Sequence, residues 1–122
     1  LQMYTKKHLE KLTYDKNWTP PEIIFGGNLI KEATNTDLNY LVVTMDIPWN
    51  LVKNDISKSP AQVIYVKNMN LEYLIKLENE VLDNIKMVIG VGGGSCHDCA
   101  KYIAIKKQLR LVRVSDEMRG LV

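Results

Sequence analysis

Five short apolar runs punctuate the sequence, and no two consecutive ones lie close enough to be joined by a hairpin. They are Glu22–Phe25, Asn39–Met45, Ala61–Val66, Met87–Val91 and Leu109–Val114. Asn39–Met45 is rich in β-branched residues and poor in polar ones, as a strand covered on both faces requires. The intervening stretches carry helical spacing. The clearest starts at Asn68 or Asn70 and repeats Leu71, Leu74, Ile75, Val81, Leu82 and Ile85, with Glu78 interrupting the stripe. Another helix is expected from about Cys96 to Lys107. A short one carries Leu29, Ile30 and Ala33 behind an Asn28 cap, and a further one is expected over Asn50–Ser57, between Pro48 and Pro60. Strands alternating with helices in this way are βαβ units. The expected fold class is α/β, with a mostly parallel sheet and flanking helices.

A chain of 122 residues fits one domain, and its 46% hydrophobic content is enough for a core without disulfides. Cys96 and Cys99 are too close in sequence to staple a long loop, which points to a reducing, cytoplasmic setting. The net charge of +2 comes from 16 basic and 14 acidic residues, interspersed without a basic stripe. That argues against nucleic acid as a partner. No apolar run approaches the roughly 20 residues of a membrane span. Leu1–Thr19 is too polar for a secretory leader and is read as an arm or edge segment. Pro20-Pro21 marks a break, so residues 20–114 form the α/β domain and 115–122 a divergent tail. The sequence opens on Leu1 and stops at Val122 soon after a strand-like run. A piece of a longer protein, or a truncated version of it, is therefore expected.

In a parallel α/β sheet, ligands bind beyond the carboxyl ends of the strands, where strand order reverses. Asp46, the loop after Val66, the glycine run and Ser115 all fall at such ends. From Gly90 to Ser95 the sequence reads G-x-G-G-G-S, between a strand and a helix. Glycines let the backbone approach a phosphate, and the helix N-terminus supplies free amides and a positive dipole end. The run is not a Walker loop, because no Gly-Lys-Ser/Thr follows. It also misses the ordinary dinucleotide fingerprint, since Ser95 stands where the third glycine is expected. Tight strand-to-helix packing is the alternative explanation, but three successive glycines exceed what a turn needs, so an anion site is the leading expectation.

Cys96, Cys99, Ala100, Ile103 and Ala104 form one apolar stripe of small residues, in which cysteine is a small hydrophobe. A C-x-x-C at a helix N-terminus also suits a redox pair. A zinc site needs about four ligands, and with two cysteines, His97 and a distant His8 the set is short. Ser95 and Asp98 have the spacing of a capping pair. His97 lies off the stripe and is read as a surface residue.

Gly92-Gly93-Gly94-Ser95-Cys96-His97-Asp98-Cys99-Ala100-Lys101 resembles the G-G-G-S-x-x-D-x-A-K motif of the iron-containing alcohol dehydrogenase superfamily. That group includes glycerol dehydrogenase, glycerol-1-phosphate dehydrogenase and, more distantly, dehydroquinate synthase. PPEIIFGGNLI and LVVTMD resemble the family's opening strand with its glycine turn and its second strand with an acidic end. The likeness runs from about Pro20 to Val114. It implies a Rossmann-like domain in which Gly92, Gly93, Gly94, Ser95 and Cys96 hold the pyrophosphate of NAD (or NADP). It places Asp98 near the nicotinamide side. It gives Asp46 the adenosine ribose hydroxyls, which favours NAD because a carboxylate repels a 2′-phosphate. The ordinary Rossmann spacing would choose Asp116 instead.

Two departures stand out. The family's Pro-Thr loop after the fifth strand is replaced by Ser115-Asp116-Glu117-Met118-Arg119-Gly120. The family's second, helical domain, which carries Asp and His ligands for a divalent metal, has no counterpart in the sequence. Three readings follow. The chain is the NAD(P)-binding part of a metal-dependent alcohol or polyol dehydrogenase, inactive or nearly so alone. Or it is a stand-alone, non-catalytic nucleotide-binding module. Or it is a thiol redox protein using Cys96 and Cys99. The first leaves a face uncovered and implies a partner domain or self-association.

Overall fold

The computed structural model describes residues 22–26 and 29–115, with side chains over 29–114. The expected arm over 1–19, the Asn28 cap and the tail beyond Ser115 lie outside the described residues. Five strands form one sheet: β1 (Glu22–Gly26), β2 (Tyr40–Thr44), β3 (Gln62–Tyr65), β4 (Met87–Gly92) and β5 (Arg110–Ser115). All neighbouring pairs are parallel, in the order β1-β5-β4-β2-β3. The helices are α1 (Ile30–Ala33), α2 (Asp46–Val52), α3 (Leu71–Glu80) and α4 (Gly94–Lys107), and a 3-10 turn, Lys53–Asp55, extends α2. This is the expected Rossmann-like α/β architecture.

The strand alternation sorts the core into two layers. Leu41, Val43, Val88 and Leu111 face one side, where they pack with Leu74 and Leu77 of α3 and Cys99, Ala100 and Ile103 of α4. Tyr40, Val42, Ile89, Val91, Val112 and Val114 face the other, with Ile30 of α1 and Trp49 and Val52 of α2. Both faces are covered, which explains why these strands read as continuous apolar runs rather than alternating ones.

Helix boundaries differ from expectation in α1, α2 and α3, and α4 starts at Gly94 rather than about Cys96. α2 occupies Asp46–Val52 rather than Asn50–Ser57. Pro48 sits in its first turn, where the missing N–H is not needed. α3 starts at the Asn70 cap, whose side chain accepts from the Tyr73 amide at 2.9 Å, but it stops at Glu80. Val81 is extended, and the apolar stripe overshoots because Val81 and Ile85 stay buried in the following loop. The N-cap of α1 is Leu29, with no side-chain cap.

α4 lies close on β4. A Cβ built on Gly90 would fall 2.9 Å from the Ala100 Cβ and 3.4 Å from the Cys96 carbonyl oxygen. Neither neighbour is the end of a flexible chain, so the helix must lift to admit a methyl. Gly90→Ala is expected to cost about 1–3 kcal/mol of stability through overpacking. A urea midpoint unchanged from wild type would refute this close approach.

Candidate functional site

The strand order places a topological switch between β2 and β4. The connection after β2 leads through α2 to β3 on one side; the connection after β4 leads through α4 to β5 on the other. The loops leaving the two strands therefore diverge and open a crevice at the carboxyl edge. Asp46 lies on one rim and Gly92–Ser95 on the other. The register continues across the edge, with Gly26 opposite Ser115 and Ser115 opposite Gly92. The rims touch: an added Cβ at Gly92 would meet Pro48 Cγ at 3.0 Å. The structure thus brings Asp46 into the same region as the glycine run.

The glycines have different reasons to be glycine. Gly92 has φ +132, a conformation L side chains rarely adopt, and a Cβ there would also crowd Cys96 Sγ at 3.0 Å. Gly93 and Gly94 are exposed, and a Cβ at either would meet nothing within 4 Å among the described residues. Packing explains Gly90 and Gly92. It does not explain Gly93 or Gly94.

Gly93 is the N-cap of α4 and Gly94 its first residue, with no side-chain cap. The expected pairing of Ser95 with Asp98 as a cap is overturned. The helix starts two residues before Cys96, so Ser95 already lies in the first turn and Asp98 beyond it. Asp98 is half-buried. Burial pushes its carboxyl up, against the opposing charges of His97, Lys101 and Arg113.

His97 is not a surface residue. It is half-buried, and its Nε2–H donates to the Val114 carbonyl at 3.2 Å, tying the start of α4 to the end of β5. Arg113 and Thr44 also belong to this neighbourhood, although sequence reasoning singles out neither. Thr44 is detectable as a hydroxyl closing a strand of Leu and Val just before the acid.

Cys96 and Cys99 are 1% and 0% exposed. Burial, reinforced by Cys96 and Asp98, pushes the Cys99 thiol up to about 12. A thiol so placed stays protonated and out of reach near neutral pH, which suits wall packing and not redox exchange. Among the described residues no three His, Cys, Asp or Glu side chains gather into a metal site. Asp116, the alternative ribose acid, lies outside the described residues. No helix among the described residues is long and apolar enough to cross a membrane.

Two outcomes are expected. Cys99 should resist a thiol reagent at pH 8 until the protein is unfolded; prompt native labelling of both cysteines would refute the packing role. The second concerns pH. Because the folded Asp98 carboxyl is raised above its ordinary 3.8, the folded state holds this proton after the unfolded chain has lost it. Stability therefore falls as pH rises through that window. Asp98→Asn should flatten this part of the stability curve, and curves parallel to wild type would contradict it.

The comparisons agree with this geometry. A family model described as iron-containing alcohol dehydrogenase matches residues 23–116. The solved glycerol dehydrogenase from Schizosaccharomyces pombe is 24% identical, with a TM-score of 0.62, over 83% of this chain and 29% of its own. A probable glycerol dehydrogenase from Sinorhizobium meliloti 1021 is 18% identical, with a TM-score of 0.60, over 79% of this chain and 28% of its own. The chain thus spans less than a third of the length of these solved relatives. No curated protein matches it.

Proposed function

Since the chain belongs to the iron-containing alcohol dehydrogenase family, we propose that it binds a nicotinamide dinucleotide, NAD in preference to NADP, with the diphosphate at the N-terminus of α4. The observation that carries this reading is a contrast among the described helices. Glu32, Asp46 and Glu72 place a carboxylate in the first turns of α1, α2 and α3, and Asn70 also caps α3. α4 has neither a first-turn acid nor a side-chain cap. Its positive end is left uncompensated, and it opens on two glycines that packing does not require. An anion pressed against the backbone accounts for both features.

The proposed roles follow from position. Gly93, Gly94, Ser95 and Cys96 turn their first-turn amides to the diphosphate. Gly92 makes the turn out of the strand, and the buried Cys96 and Cys99 sulfurs fill the wall beneath it. Asp46, exposed across the crevice, accepts hydrogen bonds from the adenosine ribose and repels a 2′-phosphate. Asp98 stands on the nicotinamide side. When bound, the nicotinamide ring supplies the hydride acceptor and donor for interconverting an alcohol and a carbonyl compound. The described residues provide no metal site, so the divalent metal of the family is assigned no step on them.

Apolar side chains beside Asp46 support a dehydrogenase fragment over a stand-alone module. Ile47 is 76% exposed, Leu51 53% and Met45 38%. In this reading they meet the family's second, helical domain, or a second copy where that domain is absent.

NADH titration tests the proposal. Gly93→Val and Gly94→Val should weaken NADH binding at least tenfold, about 1.4 kcal/mol, while leaving the fold intact because their Cβ positions are open. Asp46→Ala should weaken NAD strongly and NADP little, while Asp116→Ala changes neither. Undiminished binding in both valine variants would refute the site, and the reverse pattern at the two acids would refute the ribose assignment.

A further inference from the structure

Thr44 closes a buried strand and is itself 0% exposed. Among the described residues the buried polar or charged side chains are Thr34 and Thr44. Thr34 is explained by its surroundings. Its hydroxyl donates to the Ile30 carbonyl at 2.8 Å and accepts from the Ser57 amide at 2.8 Å, closing the end of α1. Thr44 lies in no turn of that kind. A valine would fill the same volume without burying a polar group.

Its contacts suggest the reason. The hydroxyl donates to the Val91 carbonyl at 2.8 Å and lies 3.3 Å from the Met45 carbonyl oxygen. Val91 precedes Gly92, and Met45 precedes Asp46. The last paired residues of β2 and β4 are Val43 and Gly90, one step earlier. The backbone of Thr44 turns the other way, its carbonyl accepting from the Val66 amide at 2.8 Å. Where the ladder between the two strands stops, this one side chain continues the link.

We propose that Thr44 is a positioning residue: its hydroxyl fixes the Val91–Gly92 peptide and so sets the placement of the glycine turn relative to Asp46. The role rests on the nucleotide-binding reading. The crevice must open here to admit a ligand, yet its rims must stay in register to grip a diphosphate and a ribose together. A small displacement at such a support is enough to weaken the grip. Threonine is suited because its β-branch keeps the strand and its hydroxyl spans the gap.

The experiment compares wild type, Thr44→Val and Thr44→Ser by NADH titration at 25 °C. Amide hydrogen exchange is measured alongside in the ligand-free proteins. Thr44→Val should raise the NADH Kd roughly tenfold, about 1.4 kcal/mol, and speed exchange locally at Gly92–Ser95. Thr44→Ser, which keeps the hydroxyl, should restore both to within about twofold of wild type, under 0.5 kcal/mol. The role is overturned if Val matches wild type, if Ser behaves like Val, or if exchange quickens uniformly through β3 and β5, which marks a merely structural loss. If wild type itself takes up no NADH, the nucleotide reading falls and the positioning role falls with it. Exchange at the turn would then report only the mechanical link.

Discussion

The close seating of α4 on β4 governs the rest of the structure. Gly90 has no side chain and Ala100 only a methyl, so strand and helix come together until a further carbon would not fit. Cys96 and Cys99 continue this small-residue seam. Their sulfurs fill space, and the burial that makes them good filler also disarms Cys99 as a nucleophile. A helix held this near the sheet has its first turn directly beyond the end of β4. The placement of its dipole is therefore a packing result before it is a binding one.

Topology gives that dipole a counterpart. β2 and β4 are neighbours, but their outgoing helices lie on opposite faces of the sheet. One rim of the resulting crevice begins with a carboxylate, Asp46; the other begins with bare backbone. The first rim accepts hydroxyl protons and rejects anions. The second does the reverse. A ligand with a charged centre and a diol to one side would satisfy both, and that complementarity supports the proposed dinucleotide site.

Much of this is legible in the sequence, and the exceptions have physical causes. The strands are readable because burial on both faces removes polar residues from them. The glycine run and Asp46 are readable as a pair only through the parallel order, which fixes every carboxyl end on one edge. α2 is misplaced by sequence reasoning because Pro48 looks like a boundary, although a first turn tolerates proline. Ser95 and Asp98 imitate a capping pair, but spacing alone cannot reveal that the helix has already begun at Gly94. His97 and Thr44 act through partners distant in sequence, Val114 and Val91. No local pattern announces such bonds, and only the assembled sheet edge brings them together.

A glycine-rich motif is easily taken as a single signal, yet here it divides. Gly90 and Gly92 would be required of this fold whatever it bound, one by the helix above it and the other by its φ of +132 and the Pro48 ring. Among the described residues, nothing crowds a Cβ at Gly93 or Gly94. At an unstrained helix position such as Gly94, replacing glycine with alanine ordinarily adds about 0.4–1 kcal/mol of stability by restricting the unfolded chain, and at an N-cap such as Gly93 a Ser, Asn or Asp side chain outranks glycine. Stability alone would therefore favour side chains at both positions. Two glycines kept where the fold is better off without them, at the helix end with neither acid nor cap, point to a contact outside the chain.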